Sequence, residues 1–332
     1  MNRLSAARFA AVWGRYLAVA GLVLLVIRSF AIEIFAIPPE NSYITPAGRI
    51  MEPETKSFSF AAAGDSGAKN APIEQIVQQA QDGGSHFLLY LGDLVRYRNI
   101  SHFRWIVSEL DEKLDLPFYM IPGNHEVSRR FGRDNKHLYK MVFGSLYYWF
   151  SYGDVMFIGL DSSEEKYDKG QLEWLEDVLE KVRPHFKYCV VYTHVPPISD
   201  PSWKKQMLPE PSTERLGKIL RQHDVNLILA GHIHQFWQGK AWGIPLVTLM
   251  SSGQKIRSDI NKYGYVTVQI GPDGVEAVTP HYLEDNMDEG NEYIELLLSN
   301  ILVDDRFLAI GIIILSSGLL LWAVGLISSR GR

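Results

Sequence analysis

The sequence predicts an α/β protein, because short apolar runs alternate with amphipathic stretches along the middle of the chain. Of the 332 residues, 46% are hydrophobic and 21% are charged, a balance that allows a sizeable core and excludes collagen-like or largely disordered material. The apolar residues are unevenly distributed, since the longest uncharged run lies close to the carboxyl terminus. We therefore expect a folded central domain flanked by segments of another kind.

The amino-terminal segment, residues 1–37, is expected to form a cytoplasmic tail and a signal-anchor helix. Its apolar stretch YLAVAGLVLLVI, at 16–27, is bracketed by Arg15 and Arg28, and apolar character continues to Ile37. A cleaved signal peptide is the alternative, because basic residues precede an apolar centre of suitable length. No small-x-small cleavage pattern stands close behind that centre, which favours an uncleaved anchor. Residues 38–56, rich in Pro, Glu, Ser and Thr, are interpreted as a linker.

The central region, residues 57–284, has the rhythm of strand, helix and strand. Apolar runs of strand length lie at 57–65, 86–93, 117–126, 147–153, 155–161, 188–194, 227–232, 245–251 and 263–271. Amphipathic helices are predicted at 72–81, 102–114, 171–182 and 213–223. The sequence contains no internal repeat.

The carboxyl-terminal part is expected to return the chain to a membrane. Residues 285–306 are interpreted as an acidic spacer and a pre-membrane helix, and 307–327, FLAIGIIILSSGLLLWAVGLI, as a transmembrane helix. At about 1.5 Å of rise per residue, this uncharged run spans a hydrocarbon core of roughly 30 Å. Arginines in the first 15 residues and in the tail 328–332 indicate that both termini are cytoplasmic. The central domain is then extracytoplasmic and attached to the lipid bilayer.

The charge balance excludes one class of partner. Five of the 33 basic residues are the arginines of the two end segments, which leaves 28 basic against 38 acidic residues and a charge of about −10. A body of this charge has no electrostatic basis for binding nucleic acid. The single cysteine, Cys189, lies in an apolar strand run, so no disulfide framework exists.

Polar residues able to bind metals recur where the predicted strands end, the place where α/β sheets gather their ligand sites. They lie in five short motifs: GDSG, GDLV, GNHE, YTHVPP and GHIH. The residues concerned are Asp65, Asp93, Asn124, His125, His194, His232 and His234. Each motif is weak by itself, because a lone Gly-Asp is usually a turn and a lone His is usually a hydrogen-bonded core or surface residue. Together and in this order they predict a functional site.

The residue types in these motifs suit a pair of metal ions. Carboxylates and imidazoles bind divalent transition ions, and a carboxylate such as that of Asp93 bridges two of them through its separate oxygens. A Gly before each ligand is expected to let the chain turn off the strand. In GHIH, an extended backbone would place His232 and His234 on one side.

The ordered set of motifs resembles the calcineurin-like metallophosphoesterase superfamily, and most closely its purple acid phosphatase-like branch. The resemblance implies a four-layer α/β/β/α sandwich of two facing mixed sheets with a dinuclear site at the sheet edge. It also implies metal ligands, with Asp65, Asp93 and His234 at one ion and Asn124, His194 and His232 at a second ion bridged by Asp93. His125 would stand beside the phosphoryl group as a catalytic residue that binds no metal.

Two positions depart from the patterns of that superfamily. Gly67 stands where most members have the His of Asp-x-His, and Arg96 stands where the purple enzymes have a metal-binding Tyr, with Tyr97 one place later. The first metal therefore has three assured protein ligands. The expected cofactors are two divalent or trivalent transition metal ions, with Mn, Fe and Zn left open.

The resulting hypothesis is a membrane-anchored hydrolase of phosphate mono- or diesters, in which a metal-bridging hydroxide attacks and His125 assists the leaving group. The predicted location points to a lipid-linked or envelope-derived phosphate ester. One alternative is a metal-poor binding scaffold of the same fold. A second is a membrane protease, because the segment around Ser42 resembles the membrane-exit segment of type I signal peptidases; no Lys base can be identified for it.

Overall fold

The structure of the protein is a computed structural model. It describes residues 3–35, 49–51, 57–67, 70–95, 103, 106–107, 110, 112–127, 136–203, 211–254, 262–283 and 306–330. The chain divides into two units, one formed by residues 38–287 and the other by residues 1–37 together with 288–332. The first unit contains all twelve strands among the described residues.

The strands are β1 (Arg49–Met51), β2 (Phe58–Ala63), β3 (Leu88–Tyr90), β4 (Phe118–Met120), β5 (Tyr148–Tyr152), β6 (Val155–Leu160), β7 (Tyr188–Thr193), β8 (Leu227–Ala230), β9 (Trp237–Ala241), β10 (Ile244–Thr248), β11 (Gly264–Gly271) and β12 (Gly274–Tyr282). They form two mixed sheets. The seven-stranded sheet has the order β1-β5-β6-β7-β8-β10-β9, and the five-stranded sheet has the order β12-β11-β2-β3-β4. Strands β2, β3 and β4 are parallel to one another, as are β6, β7 and β8.

The two sheets share one apolar core, which brings their carboxyl-terminal edges together. Aromatic rings of the two sheets stack across it: Phe150 of β5 lies 3.9 Å from Tyr119 of β4, measured between ring centroids. Phe87 similarly meets Phe157 of β6 edge to face at 5.3 Å. Because both faces of the central strands are covered, their burial patterns are nearly continuous rather than alternating, as in β6.

Helices cover the outer faces of the sheets. Those of the first unit are α2 (Asn70–Asp82), α3 (His137–Phe143), α4 (Lys169–Lys181) and α5 (Pro211–Gln222), with a short 3₁₀ turn at Arg183–His185. A second apolar cluster, which includes Leu175 of α4 and Leu220 of α5, packs α4 and α5 against the outer face of the seven-stranded sheet. Asp168 begins α4 by accepting a hydrogen bond of 2.8 Å from the Gln171 N–H. The predicted mixed α/β fold with two mixed sheets is confirmed.

Sequence patterns located most elements but not all of them. The nine predicted strands and the helices α2, α4 and α5 are present, while β1, β9, β12 and α3 were not predicted. Strands β9 and β12 lie at sheet edges, where exposed faces remove the apolar signal. The predicted helix at 102–114 is described only in part, and the predicted spacer and helix at 285–306 lie almost wholly outside the described residues.

The second unit pairs α1 (Arg3–Phe35) with a helix near the carboxyl terminus, α6 (Arg306–Arg330). The helices are antiparallel, since Gly14 faces Gly318 and Trp322 while Gly21 faces Gly311 and Leu315. At Gly21, an added Cβ would lie 2.6 Å from the Leu315 nitrogen, so only glycine permits this approach.

Among the described residues, no helix combines the length and the apolar character needed to cross a membrane. The two membrane helices are therefore not supported by the structure and stay a prediction.

Candidate active site

The polar residues of the five motifs converge where the two sheets meet. Asp65, Asp93 and Asn124 follow β2, β3 and β4 of one sheet, and His194 and His232 follow β7 and β8 of the other. The loops are joined by backbone hydrogen bonds, including Asp65 N–H to the Gly92 carbonyl at 2.9 Å and Gly231 N–H to the His194 carbonyl at 2.9 Å. Parallel strands in both sheets thus place distant residues at one edge.

Three buried side chains form the centre of this site. One ligand atom each from Asp93, His194 and His232 lies within 4.8 Å of the others. The Nε2 atom of His194 is 3.5 Å from the Asp93 carboxylate, 3.1 Å from Nδ1 of His232 and 3.2 Å from Oδ1 of Asn124. These are four of the residues that the sequence predicted to share a site.

The tautomer of His194 follows from its other ring nitrogen. Nδ1 lies 2.7 Å from the Leu91 carbonyl oxygen, which can only accept, so Nδ1 carries the proton and Nε2 carries a lone pair when the ring is neutral. That lone pair points at the carboxylate oxygen of Asp93 and at Oδ1 of Asn124, which are acceptors themselves. The third neighbour of Nε2, Nδ1 of His232 at 3.1 Å, donates or accepts according to the tautomer of that ring. A cation bound among these atoms would replace the contacts between acceptors by favourable ones. The residues present therefore fit a metal ion.

Asp65 and His234 form a second pair beside the first cluster. The Nε2 atom of His234 lies 3.1 Å from Oδ1 of Asp65, whose Oδ2 accepts a hydrogen bond of 2.9 Å from the His232 N–H. Although burial raises the pKa of the Asp65 carboxyl, the neighbouring His234 and His194 and the His232 N–H outweigh it, so its pKa lies below the usual value. The carboxylate of Asp65 is thus held in its ionised, metal-binding form.

Four of the clustered residues adopt left-handed backbone conformations. The φ angles are 61° at Asp65, 55° at Asp93, 68° at His232 and 59° at His234. Such angles are uncommon for non-glycine residues, and sparsely populated conformations of this kind concentrate at functional sites. The expectation that GHIH is extended is therefore wrong, because His232 and His234 reach the site through turns instead.

The glycines that precede site residues mostly leave room for neighbouring groups, and only one of them has the positive φ of a sharp turn. Of the glycines that precede site residues, only Gly92 has a positive φ, of 88°. At Gly231, an added Cβ would lie 2.9 Å from Oδ2 of Asp65, and at Gly123 it would overlap Asp93. The expectation that each glycine supplies the sharp turn is corrected accordingly: Gly123 and Gly231 leave room for the neighbouring carboxylates.

Glu126 ties two of the loops together. Its Oε2 accepts hydrogen bonds from the backbone N–H groups of Asp93, at 2.8 Å, and Gly123, at 2.6 Å, and its Oε1 accepts one from Val95 at 3.0 Å. Glu126 therefore binds the backbone of the ligand loops. Burial, and then the charge of Asp93, raise the pKa of Glu126 to about 8.

His125 differs from the other clustered residues in its exposure. Its side chain is 35% exposed, and its Nε2 lies 3.7 Å from Oδ2 of Asp93. Its backbone N–H donates to Oδ1 of Asp93 at 2.8 Å, which fixes the loop while leaving the ring at the surface of the site. This half-exposed imidazole can reach a bound molecule.

The segment 251–254 also contacts the site and was not identified from the sequence. The Ser251 hydroxyl and the Gln254 N–H both donate to the Asp65 carbonyl oxygen, each at 2.8 Å. The Gln254 side chain lies against Gly67, the position at which most superfamily members have a His. A cluster of turn-forming residues, SSG, which begins three residues after the end of β10, was the available signal. Ser42, Arg96 and Tyr97 lie outside the described residues, so their suggested roles are untested.

The fold and the site together define the class of protein: two facing mixed sheets that carry a buried cluster of carboxylates and imidazoles at their common edge, as in metal-dependent hydrolases of phosphate esters. The chain matches the calcineurin-like phosphoesterase family over residues 58–236, more than half of its length, and it belongs to that family. The chain is therefore a metal-dependent phosphoester hydrolase, and the family resemblance inferred from the motifs is confirmed.

Similar proteins act on phosphodiesters according to their names. A probable glycerophosphodiester phosphodiesterase GpdQ of Arcobacter nitrofigilis is 26% identical over 57% of this chain and 71% of its own length. A probable cyclic nucleotide phosphodiesterase of Vesicomyosocius okutanii is 22% identical over 56% of this chain and 78% of its own.

A solved structure shares the fold. The purple acid phosphatase PPD1 of yellow lupin, Lupinus luteus, superposes with a TM-score of 0.53 and 14% identity over 65% of this chain. The match covers 50% of that plant chain, so the present chain spans about half the length of this relative.

Proposed function

We propose that this chain hydrolyses phosphate esters with two transition-metal ions held at the common edge of its sheets. One observation carries the proposal: ligand atoms of Asp93, His194 and His232, all three buried, lie within 4.8 Å of one another, and Oδ1 of Asn124 lies 3.2 Å from Nε2 of His194. Asp65, Asp93 and His234 would hold the first ion. Asn124, His194 and His232 would hold the second, with Asp93 between the two.

When bound, the two ions supply Lewis acidity and a hydroxide nucleophile near neutral pH. The residues of the chain contribute position and proton transfer. Glu126 and the left-handed turns fix the ligand loops before substrate arrives. His125 is the half-exposed group beside Asp93, and it would donate a proton to the leaving oxygen, a contribution of about 10²- to 10⁴-fold.

The proposed substrate class is a phosphate mono- or diester, and the names of two relatives favour a diester. The test combines metal analysis of the purified protein with turnover of p-nitrophenyl phosphate and bis-p-nitrophenyl phosphate. Wild type is expected to contain metal and to hydrolyse at least one ester. An Asp93→Asn variant should lose turnover, while Asp154→Asn, an exposed aspartate between β5 and β6, should not. A metal-free protein without turnover after Mn, Fe or Zn reloading would favour the binding scaffold.

We also propose that the chain is anchored in a membrane, with both termini cytoplasmic and the catalytic domain outside. Two features support this: the uncharged run at 307–327, and the position of the exposed large hydrophobic side chains. The described residues include 17 exposed large hydrophobic side chains, and all of these except Tyr282 lie on α1 and α6. A lipid-linked or envelope-derived phosphate ester would then be within reach of the site.

The single cysteine makes this topology directly testable. Cys189 is fully buried, and burial raises its thiol pKa to about 12, so it reacts poorly with maleimides. An Asp273→Cys variant adds one thiol on the exposed turn between β11 and β12. A membrane-impermeant maleimide applied to intact cells should label this variant and leave wild type unlabelled. Labelling only after the cells are broken would contradict an extracytoplasmic domain.

A further inference from the structure

A buried hydroxyl outside the set of ligands holds the backbone on both sides of His194. Ser162, fully buried, lies two residues after the end of β6, the strand that pairs with β7. Its Oγ accepts a hydrogen bond of 2.7 Å from the Val195 N–H and another of 2.7 Å from the Thr193 hydroxyl. The two residues that flank His194 in the chain are therefore bound to the same oxygen atom.

The network continues one residue further into the protein. The Tyr167 hydroxyl lies 3.0 Å from the Thr193 hydroxyl. Since the Thr193 hydroxyl donates to Ser162, the Tyr167 hydroxyl must donate to Thr193. Tyr167, Thr193 and Ser162 are all buried, so none of these bonds is exchanged readily for a bond to water.

The segment that carries Ser162 is itself rigidly attached. The side-chain amide of Gln171, on α4, donates to the Asp161 carbonyl at 2.9 Å and accepts from the Asp161 N–H at 2.7 Å. The Glu165 N–H closes the turn by donating to the Ser162 carbonyl at 2.9 Å. Ser162 is thus a fixed point to which the end of β7 is held.

Ser162 holds the backbone beside His194, and a further contact orients the imidazole ring. The bond from its Nδ1 to the Leu91 carbonyl, at 2.7 Å, sets the rotation of the ring. Together these contacts aim Nε2 at Asp93 and Asn124. Residues that orient a ligand in this way change metal affinity or activity by about 10- to 100-fold when they are altered.

We propose that Ser162 is a positioning residue for the metal site, acting through His194. This inference rests on the proposed metal-dependent function, because two of its tests measure metal binding and phosphate-ester turnover. Loss of the hydroxyl would leave the buried Val195 N–H without its acceptor and would remove one bond of the Thr193 side chain, so the backbone on both sides of His194 would be held less firmly.

The test compares Ser162→Ala with Ser163→Ala, the same change at the next residue. Ser163 is also fully buried, but its hydroxyl bonds to the Asp161 carboxylate and not to the end of β7. Ser162→Ala is expected to weaken binding of Mn²⁺ by about 10- to 100-fold and to lower kcat with little change in KM. Ser163→Ala should leave both nearly unchanged. Equal effects of the two variants on metal affinity would overturn the proposal.

A measurement without metal separates this inference from the proposed function. In the metal-free protein, amide hydrogen exchange at Val195 should be faster in Ser162→Ala than in wild type or Ser163→Ala. If wild type bound no metal but Val195 still exchanged faster in Ser162→Ala, the proposed metal site would be refuted, whereas the bond between Ser162 and Val195 would be confirmed. Thr193→Val, which keeps the Val195 bond, provides a milder variant and should give an intermediate metal affinity. A Val195 amide that exchanges equally fast in wild type and Ser162→Ala would contradict the proposed hold on His194.

Discussion

Replacing Gly92 by alanine should disrupt the place where the two sheets meet. At this position φ is 88°, and an added Cβ would lie 2.5 Å from the Gly123 nitrogen and 2.8 Å from Nδ1 of His194. The positive φ costs roughly 1–2 kcal/mol for a residue with a Cβ. Because the atoms that would be struck belong to backbone and to a buried ring, overpacking adds about 1–3 kcal/mol. The free energy of unfolding should therefore fall by about 2–5 kcal/mol.

Gly243 provides a matched control for this substitution. Its φ of 89° is nearly the same, but no atom lies within 4 Å of the added Cβ. Gly243→Ala should cost only the conformational part, roughly 1–2 kcal/mol, measured by urea unfolding with an unchanged slope. Gly92→Ala should also lose phosphate-ester turnover, because the displaced ring is that of His194. Equal stability losses in the two variants, with turnover retained in Gly92→Ala, would refute the packing at this point.

Three further outcomes follow from the site. Glu126→Gln places an amide donor against at least one backbone N–H and should lower the free energy of unfolding by about 1–3 kcal/mol; a loss below about 0.5 kcal/mol would contradict the bonding described. The pKa of Glu126 is raised from 4.5 to about 8, so between these pH values the folded metal-free protein keeps a proton that the unfolded chain has released. The free energy of unfolding should therefore fall as pH rises from 4.5 to about 8, and it should fall by less in Glu126→Gln. His125→Asn should slow hydrolysis of alkyl phosphate esters by about 10²- to 10⁴-fold and that of p-nitrophenyl esters much less; equal slowing of both would exclude a role at the leaving group.

The sequence predicted which residues meet because apolar runs are a strong signal for buried parallel strands. Asp93 and His194 are 101 positions apart, yet each directly follows such a run, and the carboxyl ends of parallel strands share an edge. What the sequence could not show was how the chain leaves the strands. The left-handed conformations of Asp65 and His232 depend on hydrogen bonds between loops, and those loops are brought together only by the completed fold.

Supporting residues were harder to predict than the clustered motif residues themselves. Ser162 and Gln254 are common polar residues whose importance arises from contacts with residues distant in the sequence, such as the bonds from Ser162 to Thr193 and Val195, which span 31 and 33 positions. Edge strands such as β12 lack a continuous apolar run because one face is exposed. Periodicity therefore identified the central strands but not the edges or the segments that support the site.

The central claim is that two metal ions lie side by side at the common edge of the sheets. Crystals of the Mn²⁺-loaded protein, measured at the manganese absorption edge, test it most directly. The account predicts two anomalous peaks about 3.5–4 Å apart, on either side of the Asp93 carboxylate, with one beside Asp65 and His234 and the other beside His194 and His232. A single peak, or peaks away from Asp93, would contradict it.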